Sequence, residues 1–336
     1  MGHEVEEFEI TPWKTRWLYL SYLIGMILAF MKFRKVKPDV IVTEDLESSL
    51  LGIVIKIVFR TPFVFDFIDD YSRIIKYDGQ RLRYLLARWL ERIVPKIADY
   101  VIVADSSKLE FCLTLGLSNK KLFMIPNGYN PDSFKPGLKD TVFAEKLGID
   151  PHNVIVFVGK LNRYYNLEVV IGSMARVISQ LPDVQLILVG EGKHLKNLQT
   201  LCQDSGVSHC VRFIGSHPHN DIPKIINLSD ICILPLPAGS ALILYEYMGC
   251  GKAVVAPEGG TEKMGISKEM FPEDCLLKVE NTPEGFAEGI LHLLRNKDKA
   301  LQMGLKAREK VARSYTWNRS SQQYVKVLEK TVSRDL

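Results

Sequence analysis

The amino-acid sequence predicts an α/β fold made of two doubly wound domains that face a cleft. Short β-rich runs alternate with helical stretches along the chain, which is the pattern of parallel sheets. The alternation restarts after residues 127–140, a linker-like stretch rich in Asn, Gly, Pro and Asp. A length of 336 residues also favours two domains over one. We expect an N-terminal domain over 1–136, a C-terminal domain over 137–310, and a last helical segment over 311–336 that packs back on the N-terminal domain.

The strand candidates are short runs enriched in β-branched and aromatic residues. In the first half, helical stretches at 14–36, 46–59, 79–96 and 106–115 separate them. The second half ends in a long polar helical tail from about 298 to 330. The predicted strands are 3–10, 39–44, 62–69, 100–105, 122–127, 153–159, 184–190, 211–215, 231–236, 253–257 and 275–280.

The composition is that of an ordinary globular protein, with 47% hydrophobic and 24% charged residues. The net charge of +4 is too small to indicate nucleic acid, and no such partner is expected. The six cysteines form no C-x-x-C pair and several lie in apolar runs, so we expect reduced thiols in a cytoplasmic protein. The opening "MGHEVEEFEI" lacks the features of a signal peptide.

The stretch "ILYEYMGCGKAVVAP" at 243–257 places one glutamate, Glu246, in an apolar run. A buried, unpaired carboxylate is costly, so such a residue usually faces a partner that offsets the cost. Gly159 and Gly190 end two predicted strands, and ligands of open α/β sheets bind beyond the carboxyl ends of the strands. Each glycine would let the backbone approach a phosphate, or it forms a plain strand-to-helix turn.

Four segments carry a family likeness: "VFVGKLNRYYNLEVVIGSM", "VQLILVGEG", "VRFIGSHPHNDIPKIINLSDICILPL" and "LYEYMGCGKAVVAP", in that order. They resemble the C-terminal half of a GT-B glycosyltransferase of family 4, a large group of nucleotide-sugar-dependent enzymes. "ADYVIVADSS", "IPNGYNPDSFKP" and "YTWNRSSQQY" are similar to stretches of its N-terminal domain, linker and tail. The resemblance covers roughly residues 35–330. It implies two Rossmann-like domains, the first on the acceptor side and the second binding a nucleotide-sugar.

The resemblance implies a donor site in the second domain. Glu246 matches the second glutamate of the E-x7-E element, which accepts hydrogen bonds from donor ribose hydroxyls in relatives. Ser240 to Leu242 would open that helix, with N–H groups toward the diphosphate. Gly159 and Lys160 match a Gly-Arg pair whose cation neutralises the leaving diphosphate. The implied donor-binding residues are Gly159, Arg163, Gly190, Glu191, Ser240, Ala241, Leu242 and Glu246.

Each of these charged side chains also has a simpler interpretation. Glu246 could reach solvent from a half-buried helix, Lys160 could be an exposed surface lysine, and Glu191 could be a solvated loop carboxylate. Lys160 and Glu246 are nevertheless carried forward as catalytic candidates, because they match the family motif in order and spacing.

On the acceptor side, "VFDFIDDYS" ends a strand with Asp66, Asp69 and Asp70. Relatives often carry His-Asp here, and Ile68 occupies the His position. Asp69, at the Asp position, is the third catalytic candidate, because it would hold an acceptor hydroxyl or transfer a proton. The alternative is a plain helix N-cap supplied by Asp70 or Ser72.

Three positions depart from the family pattern. Ala238 replaces the first glutamate of the E-x7-E element, while Tyr165 and Ile243 stand where relatives carry lysines. A phenol cannot replace the charge of an ammonium, although Arg163 could act in its place. These losses support a rival hypothesis, a catalytically silent GT-B protein that acts as a binding or regulatory subunit. A sugar-nucleotide epimerase of the same fold is a further rival, for which no acidic and His catalytic set is found.

The beginning of the chain also departs from the family. Relatives open with a strand and a glycine-rich loop, whereas "MGHEVEEFEI" resembles their second strand. We therefore expect the N-terminal domain to lack its first strand and glycine loop. That strand lies centrally in a doubly wound sheet, so its absence would leave neighbours without ladder partners, unless another segment fills the gap.

Two stretches of the first half are rich in cations. Residues 13–37 contain six Lys or Arg and no acidic residue, and residues 73–96 add seven against two acidic residues. Cations near an anionic leaflet contribute about 1 kcal/mol each, so the pattern predicts peripheral contact with an acidic membrane on the cytoplasmic face. The lipophilic run 17–31 is too short to span a bilayer, since its fifteen residues reach about 22 Å as a helix. The alternative is a buried helix on the N-terminal sheet with solvated cations at its ends.

The sequence and the resemblance together predict a glycosyltransferase that moves a sugar from a nucleotide-sugar donor to an acceptor hydroxyl. The acceptor is expected to be a saccharide or a lipid-linked molecule. Retention of anomeric configuration is implied only by the resemblance. No metal and no cofactor are expected, because helix N-termini and cations stabilise the leaving group, and the nucleotide-sugar is a co-substrate.

Overall fold

The structure, a computed structural model, describes residues 18–77, 81–236, 242–259 and 274–333. It divides into two compact units, each an α/β unit built on a parallel sheet. The N-terminal unit comprises the described residues up to Ala104, Lys108–Ile125 and those from Gln323 onward. The C-terminal unit comprises Asp105–Ser107 and Pro126–Gln322. The predicted fold class, two Rossmann-like α/β domains, is confirmed.

The N-terminal part of the chain alternates strands and helices as predicted. Its strands are β1 Ile41–Thr43, β2 Phe63–Phe67, β3 Tyr100–Val103 and β4 Leu122–Met124. Its helices are α1 Leu18–Val36, α2 Leu46–Phe59, α3 Tyr71–Tyr77, α4 Arg81–Ile97 and α5 Ser106–Thr114. The strands form a parallel sheet in the order β1-β2-β3-β4. The predicted strand at 3–10 lies outside the described residues.

The C-terminal part contains all six predicted strands, in a parallel sheet. The strands are β5 Val154–Val158, β6 Gln185–Val189, β7 Val211–Gly215, β8 Ile231–Ile233, β9 Ala253–Pro257 and β10 Leu277–Val279. The helices are α6 Thr141–Lys146, α7 Leu167–Ile178, α8 Leu195–Asp204, α9 Ile222–Leu228, α10 Leu242–Gly249, α11 Pro283–Arg295, α12 Lys297–Ser314 and α13 Trp317–Val332. The strand order is β10-β9-β8-β5-β6-β7.

Both faces of the C-terminal sheet are buried, because successive residues of a strand point to opposite faces. On β5, Val154 and Val156 join the core that α9, α10 and α12 complete. Ile155 and Phe157 join the opposite core with α7, α8 and α11. This two-sided burial explains why the strands are nearly continuous apolar runs in the sequence.

The linker-like stretch is packed against the C-terminal unit rather than free, since Tyr129 and Phe134 are buried in its core. The N–H of Tyr129 donates to the carbonyl of Tyr315 at 2.9 Å, and the N–H of Trp317 donates to the carbonyl of Tyr129 at 3.2 Å. These bonds hold the backbone between α12 and α13 out of helical geometry. The tail predicted as one helical stretch is therefore two helices.

The six cysteines are free and buried, as their apolar surroundings predict. In the part of the chain that the structure describes, no helix is long and apolar enough to cross a membrane.

Asp66 is a buried carboxyl group on β2, on the sheet face that the last part of α13 covers. Burial raises the pKa of Asp66 to about 7, a hydrogen bond from the hydroxyl of Tyr324 on α13 lowers it, and the charge of Glu44 raises it. The contact links α13 to the N-terminal sheet beside the apolar packing of Val327 on Val64 and Ile102. The docking of this helix therefore includes one group that titrates near neutral pH.

We expect Asp66→Asn to stabilise the protein more at pH 8 than at pH 5. The pKa of Asp66 is about 7 in the folded protein against an ordinary 3.8, so between about pH 4 and pH 7 the folded state binds more protons than the unfolded state. The free energy of unfolding therefore falls as the pH rises through that window, and an amide avoids this loss. Urea denaturation should show the advantage of the variant growing by about 2 kcal/mol from pH 5 to pH 8.

Tyr324→Phe is the control, because it removes the hydrogen bond and keeps the carboxyl group. It should lower the free energy of unfolding, more at pH 8 than at pH 5. An effect of Asp66→Asn that is equal at both pH values would show that Asp66 does not titrate in this range.

Candidate active site

The strand order of the C-terminal sheet reverses between β5 and β8, which are neighbours although β6 and β7 intervene in the chain. The loops that leave two such strands diverge, and ligands of open α/β sheets bind beyond the carboxyl ends of the strands at this switch point. The loop after β5 begins with Gly159, and the segment after β8 leads into α10. Gly159, Lys160 and Arg163 follow β5, and Glu246 lies on the helix that follows β8, whereas Gly190 and Glu191 follow the neighbouring strand β6.

The turns after β5 and β6 lie in backbone contact. The N–H of Gly159 donates to the carbonyl of Val189 at 3.0 Å, and the N–H of Gly190 donates to the carbonyl of Gly215 at 2.8 Å. Gly190 has a φ of +132°, and a Cβ atom there would overlap the carbonyl oxygen of Gly159. Only glycine fits this close approach.

The contact between the two loops continues beyond the glycines. The N–H of Leu161 donates to the carbonyl of Glu191, and the N–H of His194 donates to the carbonyl of Leu161, both at 2.9 Å. A Cβ atom on Gly192 would overlap the same Leu161 carbonyl. The side chain of Asn162 accepts a bond from the N–H of Lys193 at 3.3 Å. The backbone that would meet a diphosphate is thus fixed before any ligand arrives.

Three of the charged candidates lie on this pair of loops. Lys160, Arg163 and Glu191 are exposed, and Arg163 begins a 3₁₀ turn, Arg163–Tyr165. The structure brings Gly159, Lys160, Gly190 and Glu191 together through the backbone bonds just described. The side chains of Lys160 and Arg163 are accessible to an anion, and their roles stay predictions.

Tyr165 has a packing role at the position where relatives carry a lysine. Its ring meets the ring of Phe157 edge-on, with centroids 5.5 Å apart. A Cβ atom on Gly159 would lie 3.3 Å from the Tyr165 ring and 2.9 Å from that of Phe157. The tyrosine therefore supports the turn that begins at Gly159 instead of supplying a charge.

Helix α10 is tied to the end of β5 by a hydrogen bond. The N–H of Val158 donates to the hydroxyl of the fully buried Tyr247 at 2.7 Å. On the same helix, Tyr245 stacks on Tyr315 with ring centroids 4.8 Å apart. Leu242 opens the helix, whereas Ser240 and Ala241 lie outside the described residues.

Glu246 lies between these two anchored tyrosines, with 7% of its surface exposed. It is therefore buried, whereas the simpler interpretation placed it on a half-buried helix and pointing to solvent. Burial raises the pKa of Glu246 to about 7. Within the described ranges its carboxyl group has no hydrogen-bond or ion-pair partner that would offset this cost. A ligand with hydroxyl donors would supply such a partner.

Lys252, in the same motif as Glu246, has a structural role. Its ammonium group donates to the carbonyls of Asn227 at 3.0 Å and Ser229 at 2.7 Å. These bonds join the start of β9 to the end of α9. Arg308 likewise donates to the carbonyl of Gly249 at 2.6 Å, which fixes the end of α10. These two cations hold the backbone around α10 in place.

Asp69 lies in the N-terminal unit, half-buried in the loop between β2 and α3. The hydroxyl of Tyr71 donates to the carbonyl of Glu44 at 2.9 Å. Burial raises the pKa of Tyr71, and the charges of Asp69, Asp45, Glu44 and Asp66 raise it further. The loops after β1 and β2 thus form an acidic group around Tyr71, and the role of Asp69 stays a prediction.

Asp70 directly precedes α3, as the alternative of a helix cap predicts, and its carboxylate accepts a bond from the hydroxyl of Ser72 at 3.4 Å. The N–H of Ser72 donates to the carboxyl group of Glu91, on α4, at 2.7 Å. Burial raises the pKa of Glu91, and its hydrogen bonds with Ser72 lower it. The sequence analysis did not identify Glu91, because this residue lies on another helix, α4, and not next to the start of α3. The signal that could have identified it is its position, since an acidic residue on the core-facing side of α4 needs a partner.

The residues of the described ranges form no group of three or more His, Cys, Asp or Glu side chains that could hold a metal ion. The expected independence of metal stays a prediction.

Comparison with known proteins agrees with this geometry. Residues 139–310, just over half of the chain, match the family described as glycosyl transferases group 1. The chain belongs to this family and is a glycosyltransferase of the group 1 type.

Two curated relatives and one solved structure show the extent of the likeness. An uncharacterized glycosyltransferase of Methanocaldococcus jannaschii is 25% identical over 90% of this chain and 78% of its own length. D-inositol 3-phosphate glycosyltransferase of Corynebacterium jeikeium is 25% identical over 92% and 76%. The structure of Anabaena HepE in complex with UDP and glucose has a TM-score of 0.78 at 19% identity, over 96% of this chain and 85% of HepE. This structural likeness shows the GT-B fold.

We expect Gly190→Ala to destabilise the protein by about 3 kcal/mol or more, because the added methyl group meets a backbone carbonyl and the φ angle is unfavourable. Gly206→Ala is the matched control, since Gly206 also has a positive φ, +69°, but open space around its Cβ position. The control should lose only about 1 kcal/mol. Equal losses in urea denaturation would show that the loops after β5 and β6 are not in close contact.

Proposed function

We propose that the protein transfers a hexose or related sugar from a nucleoside diphosphate sugar to an acceptor hydroxyl, with retention of anomeric configuration. The proposed reaction uses no metal ion and no cofactor. The observation that carries it is Glu246, a buried carboxyl group beside the switch point whose burial cost no described residue offsets. Ribose hydroxyls of the donor would donate hydrogen bonds to this carboxylate.

The two loops in contact support binding of the donor diphosphate. Gly159 and Gly190 present backbone without side chains, and Lys160 and Arg163 extend from the same loop. In the proposal these cations stabilise the charge that develops on the leaving diphosphate. Asp69 would hold the acceptor hydroxyl or take its proton.

The names of similar proteins guide the choice of donor and acceptor. HepE, which is similar in fold, was solved with UDP and glucose. A glycosyltransferase for D-inositol 3-phosphate is among the relatives. We therefore propose UDP-sugars as the first donors to test, with phosphorylated polyols, saccharides and lipid-linked saccharides as acceptors.

A second candidate function is a catalytically silent GT-B protein that binds nucleotide-sugars as a regulatory subunit. The observation that favours it is Tyr165, which packs on Phe157 where relatives carry a lysine. In this case the donor would bind and stabilise the fold, but no sugar would be transferred.

One experiment separates the two candidates. Melting temperatures are measured with UDP, GDP, ADP and CMP, because a ligand that binds only the folded state raises the melting temperature. The corresponding nucleotide-sugars are then incubated with the acceptor classes named above, and free nucleotide is measured. Binding with turnover supports the transferase, binding without turnover supports the silent protein, and no binding contradicts both.

We expect Glu246→Gln to weaken nucleotide-sugar binding by about tenfold or more, the effect of losing about 1.5–3 kcal/mol from a charge-assisted hydrogen bond. The wild-type affinity should also rise from pH 6 to pH 8, because the pKa of Glu246 is about 7 and the ionised form accepts the hydroxyl donors. Calorimetry at both pH values measures the affinity.

The unliganded variant gives an independent check. Glu246→Gln removes a group whose ionisation destabilises the folded state above about pH 4.5, so the variant should melt at a higher temperature than the wild type at pH 8. Glu145→Gln, on the exposed face of α6, is the control and should change neither property. An unchanged affinity in Glu246→Gln would remove Glu246 from the donor site.

We expect Lys160→Gln to weaken binding of UDP about fivefold while leaving binding of uridine unchanged, because an exposed cation contributes modestly and only to the phosphates. The difference should shrink at high salt. Lys196→Gln, an exposed lysine on α8, is the control. Equal losses for UDP and uridine would place Lys160 away from the diphosphate.

A further inference from the structure

The outer faces of α1, α2 and α4 carry stripes of exposed apolar side chains. Within each helix these residues recur at the spacings of three, four and seven that place them on one face. Most of the large hydrophobic side chains that are exposed among the described residues belong to these three helices. The stripes are Ile24, Ile27, Leu28 and Met31 on α1, Leu50, Val54, Ile57 and Val58 on α2, and Leu82, Leu85, Leu86 and Trp89 on α4.

The opposite face of each helix is already packed. Phe33 of α1 shares a core with Leu51 of α2, and the ring of Phe33 lies 4.9 Å from that of Phe59. Helix α2 also packs on α4, where Leu46 and Leu90 belong to one core. The stripes therefore lie on neighbouring helices. Their apolar residues belong to neither of the hydrophobic cores that these helices form. An apolar patch of this kind marks an interaction surface.

The charges around the stripes are mainly positive, and the exposed acidic residue of the three helices is Glu47, in the first turn of α2. On α4, Arg81, Arg88 and Arg92 are seven and four residues apart, which places them along one side of the stripe that contains Trp89. The acidic residue of this helix, Glu91, is buried against α3. The described part of α1 contains no acidic residue. The cations of α1, of α4 and of the residue after α1 are Lys32, Arg34, Lys35, Lys37, Arg81, Arg83, Arg88, Arg92 and Lys96.

We propose that the surface formed by the outer faces of α1, α2 and α4 docks on an anionic lipid bilayer, with the helices lying in the interface. The apolar stripes enter the boundary between headgroups and acyl chains, while the long Lys and Arg side chains reach the anionic headgroups. A second copy of the chain fits this surface less well, because a symmetric contact would bring cations of both copies together.

The test needs no nucleotide, so it is independent of the proposed function. Full-length protein is sedimented with vesicles of phosphatidylcholine alone and of phosphatidylcholine with one quarter phosphatidylglycerol. The wild type should sediment with the anionic vesicles at low salt and less at high salt. The triple variant Arg81→Gln, Arg88→Gln, Arg92→Gln should lower the partition coefficient by roughly a hundredfold. The variant Leu85→Ser, Leu86→Ser, Trp89→Ser should also lose binding.

Matched controls lie on the C-terminal unit. Leu301→Ser with Leu305→Ser replaces two leucines of α12 that are 58% and 50% exposed, against 53% and 54% for Leu85 and Leu86. Lys146→Gln, Lys196→Gln and Lys297→Gln together remove the same charge as the arginine variant. Both controls should sediment like the wild type.

Three results would overturn the proposal. The first is equal recovery in the supernatant with both kinds of vesicle, and the second is an equal loss of binding in a control. The third is a wild-type dimer, seen by sedimentation velocity without vesicles, that the Leu85, Leu86 and Trp89 substitutions dissociate. That result would assign the surface to a second copy of the chain.

Discussion

The hydrogen bond from the amide of Val158 to the hydroxyl of Tyr247 fixes the geometry on which the candidate site depends. Val158 ends β5, and Gly159 begins the loop that would meet a diphosphate. Tyr247 belongs to α10, the helix that follows β8, so this bond joins the two segments that leave the switch point. Glu246 precedes Tyr247 on this helix, and the stacking of Tyr245 on Tyr315 anchors the helix a second time. The residue with the buried carboxyl group is thus flanked by two anchored tyrosines.

Two buried carboxyl groups, Asp66 and Glu246, differ in whether the protein itself supplies a hydrogen-bond partner. Asp66 and Glu246 both have a pKa of about 7, and in both burial is the main cause. Asp66 receives a hydrogen bond from Tyr324, so part of its burial cost is offset within the protein. Glu246 has no such partner among the described residues. A raised pKa without an internal partner is a feature of candidate ligand sites, and this difference favours Glu246 over Asp66 in the proposed role of donor contact.

The strands could be predicted from the sequence because each is a local run rich in apolar residues, and the central ones, such as β2, β3 and β8, are buried on both sides. Strand β9 was predicted to the residue. The features that could not be predicted depend on residues far apart in the chain. The break before α13 depends on the backbone of Tyr129, and the cap of α3 comes from Glu91. The sequence showed only that Tyr165 replaces a lysine of the relatives, whereas its contact with Phe157 shows that it supports the turn at Gly159. None of these contacts can be predicted from the local periodicity of the sequence.

The exposed faces of α1, α2 and α4 could not be predicted from the sequence either, because they also depend on contacts between distant residues. The cations are visible in the sequence, but the apolar residues of α1 and α2 are not confined to one face, so their pattern does not indicate which face is buried. Packing of Phe33 on Phe59 decides this, and the other stripe is left exposed. On α4, Leu82 and Trp89 face outward, while Ala87 and Leu90 lie in the core. Large apolar side chains that lie outside a complete core, beside an excess of cations, match a bilayer as partner, because a bilayer provides both an apolar interior and an anionic surface.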